Sequence, residues 1–158
     1  MADERVGGVS ATIALRLPEY LGEGCSVIVV RVLTVDDWSE WRVLRLAALR
    51  DAPQAFGSKL ADWQGEGDSE RRWRGRLDGV LLNLLADLDG SPAGMVSGRL
   101  PDHDGTVGLI SMWVAPVARG RGVGDALVKA VVRWAKERRA SRIALRVAEG
   151  NHYAMALV

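Results

Sequence analysis

Six consecutive residues, Arg119-Gly120-Arg121-Gly122-Val123-Gly124, stand where an apolar stripe of helical spacing begins. A glycine-rich loop that opens straight into a helix aims unpaired backbone N–H groups at one spot. The helix end adds partial positive charge there. Phosphate is the usual ligand of such a place. Glycines supply left-handed dihedrals and let a bulky anion approach the backbone. Arg119 and Arg121 can add charge-assisted hydrogen bonds. Glycine content alone fits an ordinary turn with its arginines in solvent equally well, so the spacing has to decide. The dinucleotide fingerprint G-x-G-x-x-G/A fails, because its last position falls on Asp125 or Leu127. No G-x-x-x-x-G-K-[ST] run exists. Arg119-x-x-Gly122-x-Gly124 fits a diphosphate loop of the form R-x-x-G-x-G.

The elements that must position this loop are legible on both sides. Downstream, Val123, Ala126, Leu127, Ala130, Val131, Trp134 and Ala135 repeat at i, i+3, i+4 and i+7, which predicts an amphipathic helix ending in the Lys136–Arg139 run. Upstream, Val80–Leu88, Ala93–Leu100 and Thr106–Val114 read as strands, with Asp89-Gly90 as a hairpin turn. Alternation in Arg142–Val147 predicts a strand parallel to Thr106–Val114, reached through the helix. Earlier, Val27–Thr34 is β-branched and reads as a strand, followed by Asp36 and Asp37 as helix caps and a helix to Arg50. A short helix is expected at Ser69–Leu77, an extra strand near Ile13–Leu17, and the start of a further helix at Asn151. The fold class is therefore α/β (α+β): a mixed sheet with an antiparallel meander and a parallel pair.

The segment from Leu109 to Ala135, followed by "IALRV" and "GNHYAMAL", resembles the GCN5-related N-acetyltransferases. Those proteins carry R/Q-x-x-G-x-G/A between their fourth strand and the next helix, and an N-x-x-A-x-x-L-Y-like segment after the fifth strand. The resemblance spans Val27–Val158, which divides the chain into an N-terminal extension, 1–26, and an acetyltransferase domain, 27–158. It implies acetyl-CoA as donor, with Arg119, Gly120, Arg121, Gly122, Val123 and Gly124 around its pyrophosphate. It also implies that Met112, Trp113 and Val114 pair through their backbone with the pantetheine arm, beside a cleft where two strands splay apart. Asn151 would bond near the thioester. The family's two final strands are missing from this sequence, so a C-terminally incomplete domain and a poor catalyst are expected.

Catalytic side chains stay unassigned on this reading. Arg146 occupies the position where many relatives place a glutamate, and Val158 the position of the usual tyrosine acid. Glu149, Tyr153, His103 and Asp104 are weaker candidates, each equally at home as a loop, turn or packing residue. On the acceptor side, Phe56, Trp63 and Trp73 could line a pocket or pack the loop. Glu66, Asp68 and Glu70 could attract a cationic amine or form a solvated acidic stretch. The resemblance implies a small-molecule or peptide amine as acceptor; a non-catalytic acyl-CoA-binding or regulatory module on the same fold, or an inactive fragment, is the alternative.

Composition sets the remaining bounds. The 158 residues are 48% hydrophobic with a formal net charge of +1, which gives no reason to expect nucleic acid. The single cysteine, Cys25, cannot form an internal disulfide, and no Cys/His set has metal spacing. No run has the length of a membrane span or signal-peptide core. A cytoplasmic protein without a metal is expected, with room for a homodimer.

Overall fold

Strand order follows from how the apolar residues alternate and where the turns fall. The computed structural model describes residues 12–15, 26–56 and 58–145. Six strands lie side by side in chain order: β1 (Thr12–Leu15), β2 (Ile28–Val32), β3 (Leu82–Leu88), β4 (Ser91–Gly98), β5 (Thr106–Val114) and β6 (Arg142–Leu145). The first five pair antiparallel, and β5 pairs parallel with β6 over Thr106–Leu109. The β3–β4 hairpin turns on Asp89 (φ 50°) and Gly90 (φ 85°), both left-handed, as a tight hairpin with Asp-Gly requires. Asp89 also accepts from the Val27 N–H at 2.8 Å, which ties the turn to the start of β2.

Helices cover both faces. α1 (Trp38–Asp51) and α2 (Glu70–Gly79) lie on one side, where Trp41, Leu44, Trp73 and Leu77 pack on Leu85, Met95 and Trp113. α3 (Val123–Glu137) lies on the other, where Val123, Leu127, Ala130 and Val131 pack on Ile28, Leu84, Val96 and Val107. The periodicity of the sequence is thus the buried face of α3, and Asp125 and Lys129 pair across its solvent side at 2.8 Å. Gly94 lets α3 come close. A Cβ there would sit 3.0 Å from the Trp113 carbonyl oxygen and 3.0 Å from Val123 Cγ1.

The expected caps of α1 need correcting. Thr34, not Asp36 or Asp37, caps the chain as it leaves β2: its hydroxyl accepts from the Asp36 N–H while the Asp37 carboxylate accepts from the Thr34 N–H at 2.7 Å. This reciprocal arrangement satisfies the end donors of a short 3-10 turn, Val35–Asp37, which then runs into α1. Ser69 caps α2. The acidic loop before α2 is largely consumed in structure. Asp68 accepts from Arg42 Nε at 2.6 Å and from Trp73 Nε1 at 2.8 Å, and Glu70 from Arg74. Trp63 and Trp73 stack at 4.5 Å, and Trp73 meets Trp41 edge-on at 5.7 Å, so both Trp63 and Trp73 pack the helix layer.

Candidate functional site

β5 changes its character halfway along. Ser97 pairs with Ile110 but Met95 with Trp113, so one extra residue is accommodated on β5 between them. Ser111 takes up the irregularity at φ 55°, a left-handed value uncommon outside glycine. The consequence is a change of parity. Val107 and Leu109 face α3, whereas Trp113 faces α1 and α2, and Val114 returns to the α3 side. The Ala115 N–H donates to Ala93 on β4 at 2.7 Å. Successive residues of a strand address opposite edges, so the N–H groups of Val114 and Met112 point to the other edge of β5. Pairing with β6 is described as far as Leu109, and none of the described residues accepts from those donors.

The loop follows at once. Pro116–Ala118 form one 3-10 turn, then Gly120 (φ 74°) and Gly122 (φ 89°) adopt left-handed backbone. α3 begins at Val123 with no side chain capping it, and its first backbone bond runs from the Ala126 N–H to the Gly122 carbonyl at 3.0 Å. The N–H groups of Val123, Gly124 and Asp125 therefore have no acceptor within the helix. A Cβ at Gly120 would meet nothing within 4 Å, so the loop backbone is open on that side. Uncapped donors, two left-handed glycines and open space above them fit a diphosphate.

Both loop arginines are tied down. Arg119 Nε donates to the Val114 carbonyl at 3.0 Å and its Nη2 to Asp51 at 2.6 Å. The same Asp51 oxygen accepts from Trp113 Nε1 at 2.9 Å. Asp51 is the last residue of α1, so one carboxylate fastens the end of α1, the end of β5 and the loop together. The Trp113 bond, with the Arg119 guanidinium beside it, holds the Asp51 carboxyl below the usual carboxylate range. Arg121 donates to Ser26 at 2.6 Å and reaches Asp89 at 3.3 Å, which links the loop to the β3–β4 turn.

Asp51 was not singled out from the sequence. Its signal was an acid at the negative end of a helix, a place that disfavours it unless a cation sits opposite. Asp51→Asn removes the charge and keeps the shape. With Asp51 and Arg119 both about one-third exposed, a loss of about 1 kcal/mol is expected, read from the urea midpoint at pH 7. Because the folded-state pKa is depressed, wild-type Asp51 contributes fully above the unfolded value and loses its contribution as pH falls through the folded one. The difference between wild type and variant should therefore close below about pH 4; a gap that persists there contradicts the assignment.

The expected site residues Met112, Trp113, Val114 and Arg119–Gly124 thus come together at one end of β5. Asn151 lies outside the described residues, as do Arg146, Glu149, Tyr153 and Val158. His103 and Asp104 belong to the β4–β5 turn, where Asp102 accepts from the Asp104 and Thr106 N–H groups, and the His103 side chain is exposed. Among the described residues, no His, Cys, Asp and Glu cluster could hold a metal ion, and no helix is long and apolar enough to cross a membrane.

Comparison with known families settles what this architecture is. The model of the acetyltransferase (GNAT) family matches residues 38–158. The chain belongs to the acetyltransferase (GNAT) family. No curated protein matches it. Among solved structures, an aminoglycoside acetyltransferase from an uncultured soil metagenomic sample superposes with a TM-score of 0.68 at 17% identity, covering 83% of this chain and 88% of that one. The ribosomal-protein-alanine N-acetyltransferase of Brucella melitensis biovar Abortus gives 0.62 at 21% identity, covering 83% and 87%. The PaiA N-acetyltransferase of Thermoplasma acidophilum, solved in complex with coenzyme A, gives 0.65 at 15% identity, covering 82% and 84%. At these identities the likeness is one of fold, and the mixed sheet with its parallel β5–β6 pair is the GNAT arrangement.

Proposed function

We propose that this GNAT domain transfers the acetyl group of acetyl-CoA to a primary amine by direct attack. The observation that carries the reading is the uncapped N-terminus of α3 behind the left-handed Gly120 and Gly122, at R-x-x-G-x-G spacing. A neighbour of the same fold in complex with coenzyme A supports the choice of donor. On this reading Arg119–Gly124 surround the pyrophosphate with backbone N–H groups, and the free edge of Met112, Trp113 and Val114 receives the pantetheine arm. Asn151 bonds near the thioester. When bound, acetyl-CoA supplies an activated acyl group.

The chain's own contribution begins with the Val114 N–H. It sits on the open edge of β5 and stabilises negative charge growing on the carbonyl oxygen, a role that asks for no particular side chain. Arg119 holds the carbonyl of the same residue, and Asp51 holds Arg119, so the reacting edge is braced from behind. The amine nitrogen bonds to the carbonyl carbon, the C–S bond breaks, and CoA leaves as the thiol with the proton that the amine loses; water carries that proton, since Arg146 cannot serve as a base. The acceptor is a small-molecule or peptide amine that enters from the α1–α2 side.

The test is release of free thiol from acetyl-CoA across a panel of primary amines, with the full chain. Amine-dependent release above the amine-free background is expected for at least one member. Tight CoA binding with no amine-dependent release would instead mark a non-catalytic acyl-CoA-binding module.

A further inference from the structure

Among the described residues, two arginines of the α1–α2 layer have no carboxylate partner. Arg45, on α1, is 4% exposed, and its Nε and Nη1 have no hydrogen-bond partner. Arg76, half-buried on α2, donates among the described residues to neutral oxygens alone: Asn83 Oδ1 at 3.1 Å, Ser97 Oγ at 3.4 Å and Ser111 Oγ at 3.1 Å. Trp41 lies under both guanidiniums, at 5.9 Å from Arg45 and 5.0 Å from Arg76, and Phe56 lies 4.6 Å from Arg45. Ring faces attract the cations but satisfy none of the in-plane N–H donors. Burial, and the neighbouring Arg76, push the Arg45 guanidinium down to about 10; burial, and Arg99, do the same to Arg76.

A buried cation beside a half-buried one, with donors to spare, is costly unless an anion completes them. Their place is informative. Arg76 holds Ser111, the irregular residue of β5, and Val114 follows three residues later, about 10 Å along the strand. The guanidinium fork matches a carboxylate with two parallel hydrogen bonds.

We propose that Arg45 and Arg76 form the carboxylate subsite of the acceptor site, so that the preferred acceptor is an amine that also carries a carboxylate, such as an amino acid. This rests on the acetyltransferase reading above and adds the substrate class to it. The aromatic faces of Trp41 and Phe56 keep the guanidinium planes fixed. The carboxylate would anchor the acceptor on the α1–α2 face and leave its amine to reach toward the open edge of β5. A polycationic acceptor would meet two unpaired positive charges here and be disfavoured.

The test uses the twenty α-amino acids, the carboxamide of each, and kanamycin as a polycationic acceptor, with thiol release as the readout. The best amino acid should exceed its carboxamide by about 100-fold in kcat/KM, and kanamycin should be the poorer acceptor. Arg45→Met should shrink the acid-over-amide ratio to within a few-fold. It should melt no lower than wild type, because it removes a buried charge that lacks a partner. Arg76→Gln carries the same prediction for the ratio. Equal turnover of acid and amide, a preference for kanamycin, or an unchanged ratio in a folded Arg45→Met would overturn the proposal. A second readout is independent of turnover: binding of N-acetyl amino acids and their carboxamides, followed by tryptophan fluorescence with CoA present. Binding of the acids alone, lost in Arg45→Met, supports the subsite even if no amine is acetylated. No discrimination between acid and amide contradicts it, whatever the outcome of the transfer assay.

Discussion

Gly122→Asp is expected to weaken CoA binding by at least about 100-fold, since a carboxylate placed about 4 Å from a diphosphate costs several kcal/mol at a partly desolvated site. The position isolates the effect well. Gly122 holds φ 89° at the mouth of α3, and a Cβ there would meet only Ile28 Cδ1, at 3.6 Å. Left-handed backbone costs an L-residue about 1–2 kcal/mol, and aspartate tolerates it better than most. A negative charge at a helix N-terminus also returns about 0.3–1 kcal/mol to the fold. Stability should therefore change little while CoA binding is lost. Gly122→Ala provides the comparison, since it imposes the same strain without the charge and should cost less than about tenfold in affinity. Equal affinities of wild type and Gly122→Asp, measured by calorimetry, would remove this loop from the site.

The second large effect is on stability. Gly94→Val should destabilise the domain by about 3 kcal/mol through overpacking. The added Cβ would stand 3.0 Å from the Trp113 carbonyl, 3.0 Å from Val123 Cγ1 and 3.1 Å from Leu127 Cδ1, before its methyl groups are counted. One of those neighbours is backbone and cannot rotate away. The strand must move or α3 must lift, and lifting α3 shifts the loop that opens it. The midpoint of thermal unfolding should fall by about 10 °C for a chain of this size. CoA affinity should fall with it, in contrast to Gly122→Asp. A Gly94→Val protein with the wild-type midpoint would show that α3 does not rest on β4 at Gly94.

What could be read from residues, and what could not, divides along a physical line. Local chemistry was legible. The seven apolar positions from Val123 to Ala135 do line one helix face, Asp89-Gly90 does turn the hairpin, and β5 does span Thr106–Val114. Each depends on periodicity or on dihedral preferences of a few adjacent residues. The irregularity at Ser111 was not legible, because no glycine or proline announces it. It is imposed by pairing with β4, a partner distant in sequence. The roles of Asp51, Arg45 and Arg76 escaped for the same reason. Arg45 stands one helical turn after Trp41 on the apolar stripe of α1, which hints at burial, but only the sheet beneath it and the arrival of Arg76 from α2 give it a context. The left-handed glycines and the start of α3 were legible as local structure, while the brace behind them required the fold. Phe56, Trp63 and the α2 residue Trp73 build the helix layer, with Phe56 against Arg45.

Calorimetric titration of the full chain with acetyl-CoA, CoA and ATP tests the central claim, that the α3 loop holds the donor's diphosphate. Saturable one-to-one binding of acetyl-CoA and CoA, with ATP far weaker, is the predicted result. Binding of ATP as tight as that of CoA, or no binding of either thiol compound, would contradict it.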